Sequence, residues 1–199
     1  MAVGDSLTQG ADYHVSYVWL LRRMLCEAGY AVTFVGGQEM PSPDGPIALS
    51  GYGGCKAEAV SRIFSEVFPA NPAEIVLLHS GHNHFIDEKP VPGIIGAYGE
   101  ILRTARSIVP NVVVLVPHVV CSGKLPKYGY IPELNEAIDG FVARSTTVES
   151  PVVTFDTSSF DWKVDSIDDH VHANLGGATK LASLFYKALV PFLSAPEAH

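Results

Sequence analysis

The chain has 199 residues, 47% of them hydrophobic and 17% charged, so one well-buried domain is expected and long disorder is not. Its formal net charge of −8 repels phosphate backbones, which argues against a nucleic-acid partner. No basic cluster offers a stable hold on an anionic membrane, and no apolar run reaches the roughly 18 residues of a membrane helix.

Ala2-Val3 reads as the stub of a first strand. Val15 to Ala28 reads as a helix, because Val18, Leu21, Met24 and Leu25 recur at three- and four-residue steps. Gly29 would end it. Ala31 to Val35 reads as a second strand, followed by a loop with Pro41, Pro43, Gly45 and Pro46. Ala57 to Phe68 is a second helical pattern. Glu74 to His79 holds the continuous apolar run Ile75-Val76-Leu77-Leu78, the signature of a strand buried on both faces. Ile94 to Val109 is a helix, Val112 to Val116 a strand, Ile131 to about Val148 a helix weakened by Gly140, and Pro151 to Phe155 a last strand. Leu175 to Leu193 closes the chain as a helix, and Ser194 to His199 reads as a frayed tail.

Repeated strand–helix alternation predicts an α/β fold of three layers, α/β/α, around a parallel sheet of about five strands. No linker or repeat divides it, so residues 1–199 read as a single domain. Sites in such sheets lie beyond the carboxyl ends of the strands. That directs attention to 4–10, 50–55, 79–85, 117–124 and 156–172.

Cys26, Cys55 and Cys121 are widely spaced and form no C-x-x-C pair, so neither a zinc knuckle nor a disulfide framework is expected. The opening Met1-Ala2-Val3-Gly4 lacks the basic and apolar stretches of a secretion signal. This points to the cytoplasm, although an exported chain trimmed of its signal would read the same.

Gly4-Asp5-Ser6-Leu7-Thr8-Gln9-Gly10 follows the first strand directly. A serine at such a turn can expose its hydroxyl and free its own N–H, as a nucleophile needs; the pattern also suits a helix N-cap. Near the other end stands Asp168-Asp169-His170-Val171-His172. Asp169 and His172 could supply a base and its carboxylate from one loop, with Asp168 and His170 as runners-up.

Gly4-Asp5-Ser6-Leu7, the glycines of Ser50-Gly51-Tyr52-Gly53-Gly54, Gly81-His82-Asn83-His84 and Asp169-His170-Val171-His172 stand in an order that resembles the GDSL, or SGNH, hydrolase superfamily over nearly the whole chain. The resemblance implies a flavodoxin-like sheet and a serine esterase without a cofactor. It implies Ser6 as nucleophile, His172 as base and Asp169 as its carboxylate. The oxyanion would be held by the N–H groups of Ser6 and Gly54, with Gly53 as the alternative, and by the Asn83 amide. The family's usual Asp after that Asn is His84 here, and the first strand is short. The run from Phe34 to Gly54 looks like the carbohydrate esterase branch, which deacetylates xylan and related polysaccharides. A small-molecule or polysaccharide ester is therefore the expected partner. Asp5, His82 and Trp162 are candidate substrate contacts.

Three other readings compete. His79, His82 and His84, with His170 and His172, could form a metal site, but no H-E-x-x-H is present and no metal is expected. A lysophospholipase or thioesterase of the same superfamily would need an apolar groove beside Ser6. A carbohydrate-binding relative without activity would tolerate the loss of a motif residue.

Overall fold

The structure is a computed structural model that describes residues 1–195, so the tail expected from Ser194 falls mostly outside the described residues. Strands β1 (Ala2–Gly4), β2 (Gln38–Met40), β3 (Ile47–Gly51), β4 (Ile75–His79), β5 (Val113–Leu115) and β6 (Val152–Val153) join in one sheet. Their order is β2-β3-β1-β4-β5-β6. All pairings are parallel except that of β2 with β3. Counted alone, the five parallel strands run 2-1-3-4-5, the flavodoxin-like order, with the switch point between β1 and β4.

Helices α1 (Ser6–Gln9), α2 (Tyr17–Glu27), α3 (Ala57–Val67), α4 (Val91–Ile108), α5 (Ile131–Ser145), α6 (Trp162–Asp165) and α7 (Leu175–Leu189) complete the fold. The pleat divides the core in two. Val76 and Leu78 of β4 point to the layer of α3, α4 and α5, whereas Leu77 between them points to α2 and α7. The three-layer architecture read from alternating apolar runs is therefore present. Two helices are shorter than their apolar pattern. The α5 helix ends at Ser145, and α7 gives way at Val190–Phe192 to a 3-10 turn that contains Pro191.

The second strand is a correction: Ala31 to Val35 forms no strand, and an antiparallel strand, β2, joins the five parallel ones. Val32 and Phe34 still pack into the core beside α2 and α7, which is the apolar signal read in the sequence. The chain reaches β3 only at Gly36, where an added Cβ would lie 2.2 Å from the Leu49 carbonyl carbon. It then pairs antiparallel through Gln38–Met40 and returns through the Pro- and Gly-rich turn into Ile47–Gly51. Arg22 holds that turn with Nη1 on the Pro46 carbonyl (2.7 Å) and Nη2 on the Gly45 carbonyl (2.9 Å). What reads as a connecting loop is a hairpin turn, and the strand beside β1 begins after it.

The short β1 suffices because it is central. Both of its edges are paired, Val3 against Ser50 and Leu78, and Gly4 against Gly51 and His79. Gly4 has no room for a side chain: a Cβ there would sit 2.0 Å from the His79 carbonyl oxygen and 2.3 Å from Thr8 Oγ1. That close approach lets α1 begin immediately after the strand.

Candidate active site

Ser6 is the first residue of α1, with Asp5 rather than Ser6 as its N-cap. Asp5 Oδ1 accepts from the Leu7 N–H, and Oδ2 accepts from the N–H groups of Gly81 (3.1 Å) and His82 (3.2 Å). One buried carboxylate thus fastens the turn after β1 to the turn after β4. Burial pushes the Asp5 carboxyl up, but the facing His82 imidazole, the His79 ring and the His82 N–H outweigh it and hold the pKa at about 2. Asp5 is fully buried, so its expected place among the substrate contacts is corrected: it braces two loops.

His82 is corrected in the same way. Its side chain is buried, with Nε2 2.9 Å from the Val120 carbonyl. The turn it occupies is held from behind, where the Tyr130 hydroxyl donates to the Gly81 carbonyl (2.6 Å) and the Tyr98 hydroxyl to the Ser80 carbonyl. This leaves half-buried Asn83 facing the Cys55 carbonyl, to which its Nδ2 donates at 2.9 Å. One of the two amide hydrogens remains for another acceptor.

His84, at the position of the family's usual Asp, is buried. Its Nε2 accepts from the N–H of Ala57, the first residue of α3, at 3.3 Å. It thereby does what a capping side chain would do for a helix whose N-cap, Lys56, offers none. Glu58 and Glu88 lie 3.4 and 3.8 Å from its ring nitrogens.

The turn after β3 carries Gly53 and Gly54. The Gly53 N–H is taken by Gln9 Oε1 at 2.8 Å. Gly54 has φ +76, a conformation that favours glycine, and among the described residues its N–H meets no protein acceptor.

His172 sits two residues before Asn174, the N-cap of α7, whose Oδ1 accepts from Gly177 N at 3.0 Å. Its Nε2 lies 2.8 Å from Ser6 Oγ, and its Nδ1 lies 2.5 Å from Asp169 Oδ2. The other oxygen of Asp169 accepts from the N–H groups of Val171 and His172, both at 2.9 Å. Burial pushes the Asp169 carboxyl up, but these bonds from the His172 ring and the two backbone N–H groups prevail and hold it below its ordinary value. Serine, imidazole and carboxylate therefore form one hydrogen-bonded chain across 166 residues of sequence.

Neither runner-up joins it. Asp168 is exposed, and His170, at φ +59, turns its ring onto Trp162, centroids 5.1 Å apart. The left-handed kink at His170 breaks the extended geometry that would have put it on the side of His172. Trp162, expected among the substrate contacts, packs against His170 and the backbone at Gly123. Among the described residues, no three His, Cys, Asp or Glu side chains converge as metal ligands.

Two further residues flank this hydrogen-bonded chain; of them the sequence marks only His14, as a histidine in a loop after a strand with no functional role expected. His14 is buried, donates from Nε2 to the Ser6 carbonyl at 2.9 Å, and packs its ring against His172, with centroids 4.2 Å apart and the planes tilted by 31°. Burial lowers its pKa most; the nearby His172 lowers it further, against opposing pulls from the Ser6 carbonyl, Asp169 and Asp5. Tyr13, 65% exposed, stands edge-on to His172 at 5.9 Å. No motif marks them. The bridge between Ala11 and His14 folds this segment back over α1.

A model of the GDSL-like lipase/acylhydrolase family matches residues 2–180. The chain belongs to that family. This GDSL esterase resembles the crystal structure of a serine-to-alanine variant of an acetyl esterase with an acetate ion (26% identity, 96% of each chain, TM-score 0.85). It also resembles a family 3 carbohydrate esterase from Talaromyces cellulolyticus (27% identity, 96% of each chain, TM-score 0.84). A family 3 carbohydrate esterase from Clostridium thermocellum shares the fold at 24% identity and TM-score 0.78, over 96% of this chain and 94% of that one. A comparison with curated sequences gives no match. Among the described residues, no helix of this esterase is long and apolar enough to cross a membrane.

Under the site lies a group that ties stability to pH. His79, the last residue of β4, is wholly buried, and neither ring nitrogen has a hydrogen-bond partner among the described residues. Burial pushes its pKa from 6.5 down to about 4; Asp5 opposes this and His82 adds to it. Between those two values the unfolded chain binds a proton that the folded one refuses. Stability is therefore present above pH 6.5 and lost as pH falls towards 4. Burial lowers His14 and His84 as well, with the same sign. The His79 contribution is about 3 kcal/mol over the full span. The urea midpoint is expected to fall steadily from pH 7 to 4.5, and His79→Leu to flatten that slope. An equal slope in the variant would assign the effect to other groups.

Proposed function

We propose that this esterase removes acetyl groups from carbohydrates, such as acetylated xylan, through an acyl-enzyme on Ser6. The observation that carries the reading is its likeness, over 96% of the chain, to an acetyl esterase and to a family 3 carbohydrate esterase.

The chemistry follows from the site. Neutral His172 takes the Ser6 proton at Nε2 as Oγ attacks the ester carbonyl, and Asp169 stabilises the imidazolium from the other side. The tetrahedral oxyanion lies against the N–H groups of Ser6 and Gly54 and the spare Asn83 amide hydrogen. Occupation of the Gly53 N–H by Gln9 favours Gly54 for this role. His172 returns the proton to the leaving alcohol. Water then repeats attack and proton transfer on the acyl-enzyme, releasing acetate and restoring Ser6.

Tyr13 favours a sugar as the leaving group. An exposed aromatic ring beside the base can stack on the apolar face of a pyranose. Tyr13→Ala is expected to raise KM for acetylated xylo-oligosaccharides by about five- to ten-fold, the worth of one such contact. KM for p-nitrophenyl acetate should stay within about two-fold. Equal effects on both substrates would remove Tyr13 from sugar recognition.

A second reading has its own observation. Phe85 (50% exposed) and Leu125 (70% exposed) stand in the loops that follow β4 and β5, at the same end of the sheet as Asn83, and could receive a longer acyl chain. Hydrolysis of p-nitrophenyl acetate, butyrate and octanoate, followed by acetate release from acetylated xylan, separates the two. Preference for acetate with release from xylan supports deacetylation. Preference for octanoate moves the lysophospholipase or thioesterase reading ahead.

A further inference from the structure

We infer that His14 is a positioning residue that sets both the nucleophile and the base, an inference that rests on the roles proposed above for Ser6 and His172. A carbonyl only accepts, so the Nε2 that meets the Ser6 carbonyl at 2.9 Å must carry the proton. This fixes the tautomer. Nδ1 is then a bare lone pair, buried without a partner among the described residues. A buried, unsatisfied nitrogen is costly, and a phenylalanine would fill the space without it. The bond to Ser6 is what a phenylalanine could not make.

That bond acts on the nucleophile. The Ser6 carbonyl also accepts from the Gly10 N–H at 2.9 Å. Both of its lone pairs are engaged, so the peptide after Ser6 is held, and with it the direction of the Cβ from which Oγ reaches His172 Nε2. The ring acts on the base. His14 lies on His172 with an interplanar angle of 31° and leaves the edge of His172 free to reach Ser6 and Asp169. As His172 becomes an imidazolium in the transition state, it gains a neutral aromatic face against it. The support is anchored to both parts of the triad. Ala11 and His14 exchange two backbone bonds of 3.2 Å above α1, and the Val15 N–H donates to the Ala173 carbonyl, next to His172, at 3.1 Å.

The test compares wild type with His14→Phe, His14→Gln, His14→Ala and Ser6→Ala on p-nitrophenyl acetate. Active sites are counted by endpoint titration with an organophosphate, so kcat refers to folded, reactive protein only. His14→Phe keeps a ring on His172 and loses the bond to Ser6, and kcat per titrated site is expected to fall about ten-fold. His14→Ala loses both, and a fall of about a hundred-fold is expected, the scale of a small misplacement of reacting groups. KM should stay within about two-fold in each. A merely structural histidine would lower the number of titrated sites and leave kcat per site unchanged. If His14→Ala does not fold, the Phe and Gln variants decide. Values of kcat per site within about two-fold of wild type in the folded variants overturn the inference while leaving the triad intact. Undiminished activity in Ser6→Ala overturns the triad reading, and this inference with it.

Discussion

Ser6→Ala is expected to lower kcat on p-nitrophenyl acetate by about 10⁴- to 10⁶-fold. The expectation is large because the change removes the atom that forms the acyl-enzyme, while the rest of the site stays in place. The Ser6 hydroxyl has one hydrogen-bond partner among the described residues, His172 Nε2 at 2.8 Å. The backbone bonds that hold the turn run through the Ser6 carbonyl and the Asp5 side chain. Alanine keeps them all and suits the first turn of a helix. The thermal midpoint should therefore move by no more than a few degrees. The residual rate would come from the oxyanion donors acting on an ester attacked by water. Wild type should also gain one organophosphoryl group at Ser6, visible by mass, and Ser6→Ala none. A folded variant that keeps activity within ten-fold would place the nucleophile elsewhere. A wild type that neither hydrolyses esters nor takes the label would favour a carbohydrate-binding relative.

The sequence was most legible where one physical rule governed each segment. Ile75-Val76-Leu77-Leu78 must be buried on both faces, and only a central strand does that; β4 is that strand. Ser6 could be placed by the Gly4-Asp5-Ser6-Leu7 motif directly after a strand, and the structure adds that Gly4, with no room for a side chain, lets a helix start within one residue of that strand. His172 was favoured over His170 by the resemblance of Asp169-His170-Val171-His172 to the family's Asp-x-x-His; the reason in the structure is a left-handed kink at His170 that spacing alone does not show. Illegible were contacts made by sequentially remote backbone. Ala31 to Val35 has the composition of a strand, yet the edge of β1 it would need is filled by Ile47–Gly51, which enters from a hairpin with Gln38–Met40 whose proline-rich turn Arg22 holds. Asp5 and His82 resemble substrate contacts in a motif that surrounds the nucleophile. Their burial follows from one carboxylate that spans the β1 and β4 turns. His14 and Tyr13 carry no pattern, since their proximity to His172 depends on the 11–14 turn being laid over α1.

Asp169→Asn is expected to cost about 10⁴-fold in kcat with the fold preserved. The two oxygens of Asp169 have separate duties, and the substitution divides them. Oδ1 accepts from the N–H groups of Val171 and His172, which closes the turn carrying the base. An asparagine carbonyl oxygen can accept both, so the turn should survive. Oδ2 faces His172 Nδ1 at 2.5 Å, and there asparagine would present an NH₂ donor. His172 could meet it only by leaving Nδ1 bare and carrying its proton on Nε2. In that tautomer the nitrogen facing Ser6 is already protonated and cannot take the hydroxyl proton. The charge that would stabilise the imidazolium is also gone. Asp169→Ala loses the turn's acceptor as well, so it should show a lower thermal midpoint in addition to low activity. The comparison is decisive in that pair. Low kcat in Asp169→Asn with a wild-type midpoint assigns the carboxylate to tautomer and charge. Near-normal kcat in Asp169→Asn, with loss only in Asp169→Ala, would reduce Asp169 to a loop anchor and leave His172 to act on Ser6 without a carboxylate.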